Sequence, residues 1–296
     1  MRITRYAAAF AALGVVLAGC SSEAGDTVED AADAPVEVEE NVDFEAGTTM
    51  AELAEAGTMT VGTKFDQPGF GLRTPAGTPE GFDVEVAKII AAELGIAPED
   101  ITWTETVSAN REAFIEEGRV DMVVATYTIN DDRKQRIDFA GPYYEAGQDI
   151  MVAEGNPLGI QGPEDLAGKN VCSVEGSTPA EEIRTNYPEA QLTLFDVYSK
   201  CADALANGQV DAVTTDNVIL TGLVAGSPDQ FDLVGNPFTE EPYGIGIPKG
   251  DDEFRAFIND TLEQAYESGA WAEAWDSTAG AISGTEAPEP PAVDRY

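Results

Sequence analysis

The sequence predicts an α/β protein built from two lobes in tandem, with a cleft between them. Short apolar runs typical of strands alternate with segments whose apolar residues recur at helical spacing. This alternation predicts sheets of mostly parallel strands with helices on both faces. Residues 118–124 and 208–214 also share one pattern, a glycine that ends a helix followed by a buried strand. The second half of the chain therefore repeats a structural pattern of the first half.

The first lobe is predicted from three strands and two amphipathic helices. The strands cover residues 58–63, 101–105 and 120–125, and the helices cover residues 83–94 and 109–117. Gly95 and Gly118 follow the two helices, and glycine commonly ends a helix because it adopts the left-handed conformation easily. These elements give a complete α/β unit.

A second series of elements follows residue 144. Its strands cover residues 148–153, 170–174, 191–195 and 211–215, and its helices cover residues 179–187 and 199–207. A return strand at 244–248 and a final helix at 252–269 complete the pattern. We therefore assign residues 48–144 plus 243–280 to lobe 1 and residues 145–242 to lobe 2, with hinge crossings near 145–148 and 239–243.

The N-terminus has the pattern of a lipoprotein signal peptide. Arg2 and Arg5 precede a short apolar stretch at residues 6–18, and Cys20 follows small residues where cleavage is expected. We predict that residues 1–19 are removed and that the Cys20 thiol carries a lipid. The alternative is an ordinary secretory signal with an incidental cysteine. Lipidation would place the protein on the extracytoplasmic face of the cell membrane.

Two further segments lack the composition of a packed core. Residues 20–47 are rich in Asp and Glu and contain no Lys or Arg, which predicts an extended, disordered linker. Residues 281–296 contain several prolines and are predicted to form a disordered tail.

The composition excludes several functions. Asp and Glu number 55 against 16 Lys and Arg, and the formal net charge of −39 excludes nucleic acid as a partner. The chain has no histidine, which removes histidine-based nucleophilic catalysis and histidine metal sites. We expect no enzymatic activity, no metal and no cofactor. Outside the cell, Cys172 and Cys201 are expected to form a disulfide.

Polar residues gather where the strand at 120–125 ends. Thr126 and Thr128 offer hydroxyl groups at alternate positions, residues 130–132 favour a helix start, and Arg133 lies just inside that helix. Hydroxyls, helix-start N–H groups and a guanidinium at the carboxyl end of a strand suit a small carboxylate ligand. The alternative is an ordinary junction in which Arg133 pairs with Asp131 or Asp132.

An ordered set of short segments carries a family resemblance. The segments are 61–63, 81–84, 118–124, 128–133, 139–144, 164–169, 176–178 and 208–216. In this order they resemble family 3 of the extracellular solute-binding proteins, the amino-acid receptors of ABC importers. Segments 62–68, 125–130, 172–179 and 198–201 resemble more closely the glutamate-binding lipoproteins of actinobacterial importers. The resemblance implies a two-lobed, periplasmic-binding-protein-like (type II) fold with a ligand cleft between the lobes.

The resemblance also implies roles for individual residues. Arg133 corresponds to the arginine that clamps the α-carboxylate of the ligand, and a guanidinium grips a carboxylate bidentately. Thr126 and Thr128 would support it, and Ser177 and Thr178 would add donors from lobe 2. Asp216 corresponds to the carboxylate that receives the α-ammonium group, although it could instead cap the helix that follows.

A side-chain carboxylate of the ligand would need a further cation. Lys64, Arg73 and Arg111 are the candidates, because they lie in segments near the cleft wall. Arg73 could equally be a solvated loop residue, and Arg111 could pair with Glu112 or Asp121. Phe65 is a candidate for stacking on the aliphatic part of the ligand. Phe82 is also considered for that role, but a core position is favoured for it.

One motif departs from the family. Most members have a proline-proline-aromatic sequence after the first strand, whereas this chain has Gln67-Pro68-Gly69-Phe70. The resemblance therefore does not supply the aromatic residue that would cover the ligand.

The function implied is that of a lipid-anchored receptor that closes on an amino acid, glutamate first, and presents it to ABC permease subunits. Glutamine and aspartate remain alternative ligands. An exported arogenate or prephenate dehydratase could use the same fold, and Glu175 is the candidate for the catalytic acid that it would need. A receptor domain that signals to a sensor is a third alternative.

Overall fold

The computed structural model describes residues 37–40 and 42–296. Its strands are β1 (Met59–Thr63), β2 (Asp66–Gln67), β3 (Gly71–Arg73), β4 (Pro79–Glu80), β5 (Ile101–Glu105), β6 (Met122–Val123), β7 (Asp138–Ala146), β8 (Gln148–Ala153), β9 (Asn170–Val174), β10 (Gln191–Phe195), β11 (Ala212–Asp216), β12 (Phe231–Leu233) and β13 (Glu241–Ile247). Its helices are α1 (Thr49–Ala56), α2 (Phe82–Glu93), α3 (Arg111–Glu116), α4 (Asp131–Lys134), α5 (Thr178–Asn186), α6 (Tyr198–Ala206), α7 (Asn217–Gly226), α8 (Asp252–Ser268), α9 (Ala270–Ser277) and α10 (Ala279–Ser283).

Each lobe is built on a five-stranded sheet. The lobe 1 sheet has the order β5-β1-β6-β13-β7, and the lobe 2 sheet has the order β10-β9-β11-β8-β12. A small three-stranded sheet, β2-β3-β4, accompanies the first. The predicted α/β architecture with two lobes is therefore confirmed.

The prediction of mostly parallel strands is wrong in part, because both large sheets are mixed. In lobe 1, β1 is parallel to β5 and β6, whereas β13 is antiparallel to β6 and β7. In lobe 2, β9 is parallel to β10 and β11, whereas β8 is antiparallel to β11 and β12. A parallel pair needs a crossover helix, but β8 and β13 enter their sheets directly from the other lobe, which leaves their direction free.

The chain crosses between the two sheets twice, and the crossings lie side by side. The first is at Gly147, between β7 and β8, and the second lies between β12 and β13. Glu241 pairs with Ala146 across them. Asn217, which begins α7, accepts a hydrogen bond from Gly147 N–H and donates its own N–H to the Gly147 carbonyl. The paired crossings thus join the lobes at one edge of the cleft.

The core of lobe 1 is rich in aromatic side chains. Phe82 is fully buried, and its ring meets those of Trp271 and Trp275 edge to face at centroid distances of 5.5 and 5.4 Å. Such edge-to-face pairs add stability beyond their buried area. Phe82 is therefore a core residue of lobe 1, as the sequence favours, and not a wall of the cleft.

The predicted disulfide is confirmed. Cys172 in β9 and Cys201 in α6 are bonded, with their Cα atoms 5.5 Å apart. Both sulfur atoms are fully buried in the lobe 2 core. The bond ties α6 to the strand that leads to Ser177 and Thr178.

The N-terminal predictions concern mostly residues outside the described part of the chain. The signal peptide 1–19, Cys20 and residues 20–36 lie there. Within the described residues, Phe44 meets Phe257 of α8 edge to face at 5.6 Å. The C-terminal end of the predicted linker therefore lies on lobe 1. None of the described helices is long and apolar enough to cross a membrane.

The C-terminal residues, for which the sequence predicts disorder, have defined contacts with lobe 1. Asp294 N–H donates to the Gly141 carbonyl at 2.7 Å, on the outer edge of β7. Arg295 pairs with Asp260 and Glu263 of α8, each at 2.6 Å. The prolines do not prevent this packing, because an extended segment needs no regular helix to cover a strand edge.

Candidate functional site

A narrow cavity of about 10 Å³ lies between the lobes, at the carboxyl ends of their central strands. Lobe 1 contributes residues that follow β5 and β6, and lobe 2 contributes residues that follow β9 and residues at the end of β11. This is the edge where α/β sheets bind their ligands. Six of the predicted ligand-binding residues line it: Arg111, Thr126, Thr128, Ser177, Thr178 and Asp216.

Thr126 follows β6 in a strained backbone conformation. Its φ is 44°, an unusual value for a β-branched residue. Asp83 at the start of α2 holds it there, because the Thr126 N–H donates to Asp83 Oδ2 at 2.8 Å. Burial raises the pKa of Asp83 to about 7. Backbone strain held by a buried partner is a common property of functional sites.

Arg133 lies in α4, which begins with a side-chain cap from Asn130. Its guanidinium donates to the carbonyls of Thr128 in lobe 1 and Gly176 in lobe 2, the latter at 3.0 Å. Its ion-pair partner is Glu112 of α3, with Nε and Oε1 3.3 Å apart. The alternative pairing with Asp131 or Asp132 is thus replaced by contacts to both lobes, and Arg133 is not among the residues that line the cavity.

The electrostatic environment of Arg133 is unusual for a surface junction. The side chain is only 8% exposed. Burial lowers the pKa of Arg133 to about 10, and the neighbouring charge of Arg111 acts in the same direction. Two buried guanidinium groups close together would be stabilised by an additional anion.

Arg111 begins α3 and is 2% exposed. It donates to the carbonyls of Ala125 and Thr126, at 2.9 and 3.3 Å, and its guanidinium lies 4.0 Å from the ring centroid of Tyr127. The expected alternative, an ion pair with Glu112 or Asp121, is replaced by these carbonyl and aromatic contacts. Its Nε has no hydrogen-bond partner among the described residues.

Lys64 follows β1 and is 4% exposed. Its Nζ donates to Ser108 Oγ at 2.8 Å, and Ser108 lines the cavity. Burial lowers the pKa of Lys64 well below its usual value, and the charge of Arg111 contributes in the same direction. Lys64 therefore stands directly behind the lobe 1 wall.

Arg73 and Phe65 lie apart from the cavity wall. Arg73 is exposed in β3, where Nε donates to the Gly77 carbonyl at 3.2 Å. Its guanidinium lies 5.2 Å from the ring centroid of Phe65, which is half-buried. The two predicted residues thus contact each other outside the cavity.

Lobe 2 presents the start of α5 to the cavity. Ser177 caps this helix, because its Oγ accepts a hydrogen bond from Ala180 N–H at 3.1 Å. Thr178 is the first helical residue, and its Oγ1 donates to Glu241 Oε2 at 2.7 Å and lies within hydrogen-bond distance, 3.2 Å, of Thr128 Oγ1. The start of α5 therefore reaches both Thr128 of lobe 1 and Glu241 at the return crossing.

Asp216 ends β11 and is 3% exposed. It occupies the position before α7 but makes no side-chain capping bond, so the alternative role as a helix cap is not realised. Instead, Asp216 Oδ2 accepts a hydrogen bond from Tyr243 Oη at 2.6 Å. Burial raises the pKa of Asp216 to about 8, and the charge of Glu241 adds to the effect.

Unpartnered polar atoms from both lobes converge on this one cavity. Arg111 Nε and Asp216 Oδ1 are both buried without a hydrogen-bond partner among the described residues. Each such atom costs about 1–3 kcal/mol of folding free energy unless a further group pairs with it. A cationic donor and an anionic acceptor in one small cavity complement a zwitterion.

Several residues of the site escape analysis of the sequence. Glu112 forms an ion pair with Arg133, and Glu241 accepts a hydrogen bond from Thr178. Tyr198 of α6 forms part of the cavity wall. Of these three residues, only Glu241 lies in a segment that the sequence predicts to be a hinge crossing, the one near residues 239–243. Glu175, the acid required by the dehydratase alternative, is exposed and is not among the residues that line the cavity.

Curated relatives cover most of the chain. The glutamate-binding protein GluB of Corynebacterium efficiens is 44% identical over 239 residues, which are 77% of this chain and 81% of that protein. The ABC transporter glutamine-binding protein GlnH of Bacillus subtilis is 38% identical over 227 residues, which are 76% of this chain and 82% of that protein.

Solved structures match the fold. A solute receptor for L-cysteine of Neisseria gonorrhoeae superposes with a TM-score of 0.76 at 27% identity, covering 80% of this chain and 96% of that chain. An ancestral arginine-binding protein bound to glutamine gives a TM-score of 0.70 at 35% identity, covering 75% of this chain and 97% of that chain. The fold is thus the two-lobed type II fold. Since the profile of the bacterial extracellular solute-binding proteins, family 3, matches residues 59–277, the chain belongs to that family.

Proposed function

We propose that this protein is an extracytoplasmic receptor that binds glutamate in the cleft and delivers it to an ABC amino-acid permease. The observation that carries the proposal is the pair of unpartnered atoms, Arg111 Nε and Asp216 Oδ1, in one cavity. Arg111 belongs to lobe 1, and Asp216, which is anionic once it ionises, belongs to lobe 2. A zwitterion that satisfies both atoms would favour the state in which the lobes contact each other.

The α-carboxylate is assigned to Arg133 and the hydroxyls around it. A guanidinium has five N–H donors, and the carbonyls of Thr128 and Gly176 and the carboxylate of Glu112 leave part of this set free. Thr126, Thr128, Ser177 and Thr178 would add donors from both lobes. Asp216 would receive the α-ammonium group, which removes the penalty of its buried carboxylate.

Selectivity for glutamate is assigned to the cations of the lobe 1 wall. Arg111 is buried in this wall, and Lys64 is buried directly behind it. The γ-carboxylate of glutamate would pair with these two cations. Arg73, the third candidate, is exposed outside the cavity. The name of the GluB relative supports glutamate, whereas the name of the GlnH relative supports glutamine as the second candidate.

Calorimetric titration with glutamate, glutamine, aspartate, histidine and arginine tests the proposal. Residues 21–296 form a suitable sample, because they omit the predicted signal and Cys20. We expect glutamate to bind at least about tenfold more tightly than glutamine, which corresponds to a difference of about 1.4 kcal/mol. Tighter binding of glutamine would change the assigned ligand to glutamine but would leave the assigned function, an amino-acid receptor, in place. Binding of none of the five would overturn the proposal.

The lipid anchor is a separate part of the proposal. Cys20 would carry a lipid, and residues 20–36 would span the distance between the membrane and lobe 1. The hinge between the two lobes would lie at the two chain crossings. Labelling of cells with an alkyne-bearing fatty acid should mark the wild-type protein and not the Cys20→Ser variant. Equal labelling of both proteins would exclude Cys20 as the acylated residue.

A further inference from the structure

Asp66 of lobe 1 caps a helix of lobe 2. Its Oδ2 accepts hydrogen bonds from the backbone N–H groups of Tyr198 and Ser199, at 2.8 and 3.2 Å. These two residues begin α6, a helix of nine residues. The residue before the helix, Val197, offers no side-chain cap. A carboxylate from the other lobe therefore satisfies donors that helices usually satisfy locally.

The capped end of α6 belongs to the ligand site. Tyr198 lines the cavity, and Cys201 one turn later is bonded to Cys172 in β9. The strand β9 leads to Ser177, which caps α5 at the cavity. Holding the start of α6 thus holds the lobe 2 wall, although Asp66 itself is not among the residues that line the cavity.

A second contact joins the same segment of lobe 1 to the next helix of lobe 2. Gly222 of α7 lies so close to Pro68 that an added Cβ would be 2.3 Å from the Pro68 carbonyl oxygen. Only a glycine allows this approach without displacing the backbone. Residues 66–68 thus contact α6 through Asp66 and α7 through Pro68.

We propose that Asp66 is a positioning residue that stabilises the closed state of the receptor by capping α6 across the cleft, without contacting the ligand. The inference rests on the proposed function, since it requires that the lobes separate when no ligand is bound. On separation, the Asp66 bonds to α6 and the Pro68 contact with Gly222 are lost. Both contacts then favour closure and slow release of the ligand.

Three variants test the cap, with glutamate as the probe. Asp66→Ala removes the acceptor, whereas Asp66→Asn keeps an oxygen acceptor and removes the charge. Asp196→Asn is the matched control, because Asp196 precedes the same helix but pairs with Lys200 inside lobe 2. We expect Asp66→Ala to weaken binding about fivefold, the equivalent of the 1 kcal/mol typical of a lost cap, with both asparagine variants within about twofold of wild type.

Kinetics and hydrogen exchange separate this role from a general loss of stability. The weakening in Asp66→Ala should appear in the dissociation rate measured by stopped flow, because the cap forms only after closure. In the wild type, glutamate should increase the protection of the Tyr198 and Ser199 amides. Asp66→Ala should lose this increase while keeping its protection elsewhere in lobe 2.

Gly222→Ala provides an independent variant that is expected to fold. Alanine favours a helix more than glycine does, so α7 should not be weakened. The added methyl group would meet the Pro68 carbonyl and oppose closure, and we expect affinity to fall at least about fivefold, as a closure cost of about 1 kcal/mol would give. Gly226→Ala in the same helix is the control, since a Cβ there meets nothing within 4 Å.

Unchanged affinity and dissociation rate in Asp66→Ala would overturn the proposal. Equal weakening in Asp66→Asn and Asp66→Ala would also overturn it, because the effect would then come from charge and not from the cap. Absence of binding in the wild type would instead contradict the proposed ligand, so the two failures are distinguishable.

Discussion

The two walls of the cleft differ in the chemistry that they present. Lobe 1 contributes three buried cations, Lys64, Arg111 and Arg133. Lobe 2 contributes the buried carboxylate of Asp216 and the hydroxyl-bearing start of α5. A protein of net charge −39 thus concentrates buried positive charge on one wall and places a buried carboxylate on the other.

This difference explains how a small ligand could control the distance between the lobes. Carboxylates of an amino acid would pair with the lobe 1 wall, and its ammonium group would pair with Asp216. A ligand with only one of these charges would satisfy one wall and leave a buried charge unpaired on the other. Closure would then depend on a zwitterion.

Loss of the Arg133 guanidinium should have the largest effect on binding. Arg133→Ala removes a buried hydrogen-bonded partner of the carboxylate, and we expect affinity for glutamate to fall by about 10³-fold, within the 2–5 kcal/mol typical of such pairs. Arg133→Lys keeps the charge but loses the planar fork, so it should recover only part of the loss. Calorimetric titration measures both.

Arg136→Ala is the control for that experiment. Arg136 lies close to α4 but is half-exposed and pairs with Glu116 on the surface. The Arg136→Ala variant should bind glutamate with the affinity of the wild type. If it lost as much affinity as Arg133→Ala, the contrast between the cationic wall and the rest of lobe 1 would be wrong.

Asp216→Asn should weaken glutamate binding by about 10²-fold, because the ammonium group loses its charged partner in lobe 2. The same change should raise the melting temperature of the protein without ligand at pH 9, above the raised pKa of Asp216, because it removes a buried charge there. Calorimetry and thermal unfolding measure the two effects. A variant that binds normally would break the assignment of the ammonium group to lobe 2.

The pH dependence of binding follows from the same carboxyl. Burial raises the pKa of Asp216 to about 8, so the group is protonated at neutral pH and must ionise to receive an ammonium group. Affinity of the wild type should therefore rise with pH from 6 to 8, by at most about tenfold per unit, and then level off. Without ligand, the stability from the raised pKa of Asp216 is complete below about pH 4 and is lost as pH rises through about 8.

Calorimetry at pH 7 in two buffers of different ionisation enthalpy should accordingly detect less proton release for Asp216→Asn than for the wild type. Equal proton release from both proteins would assign the titration to another group.

Lys64→Gln should change selectivity more than overall affinity. We expect affinity for glutamate to fall about tenfold and affinity for glutamine to stay within about threefold, because only the γ-carboxylate needs the ammonium group. Lys200→Gln, which removes a surface lysine paired with Asp196, is the control. Parallel losses for both ligands would make Lys64 a structural residue of lobe 1.

Removal of the disulfide should have the smallest effect on binding at 25 °C. Replacing Cys172 and Cys201 by serine should lower the free energy of unfolding by about 3–4 kcal/mol, as expected for opening a loop of this length. Affinity should change less than about threefold. Denaturant unfolding measures the first effect, and a much larger loss of binding would show that lobe 2 needs the bond to hold its wall.

The sequence predicts the site best where strand ends carry polar residues. Thr126, Thr128, Ser177, Thr178 and Asp216 all come from such positions, and the structure brings them to one cavity, because the carboxyl ends of neighbouring strands share an edge. The alternation of elements similarly predicts the α/β lobes, since it is a local property of the chain.

The remaining features depend on packing between distant segments. Glu112 reaches Arg133 from another helix, and Asp66 caps α6 from 132 residues away. No spacing in the sequence encodes these contacts. The order of strands in the mixed sheets and the packing of the C-terminal residues on β7 have the same origin. The position of Arg73 in the sequence makes it a candidate, but the direction of its side chain follows from the small β2-β3-β4 sheet.

Titration with ligands that lack one charged group tests the central claim most directly. Glutarate lacks the ammonium group of glutamate, and 4-aminobutyrate lacks its α-carboxylate. If opposite walls bind opposite charges and Arg133 binds the α-carboxylate, calorimetry should show tight binding of glutamate and at least about 100-fold weaker binding of both analogues, the equivalent of about 2.8 kcal/mol each. Glutarate that binds as tightly as glutamate would contradict the account, because Asp216 would then have no ammonium group to receive.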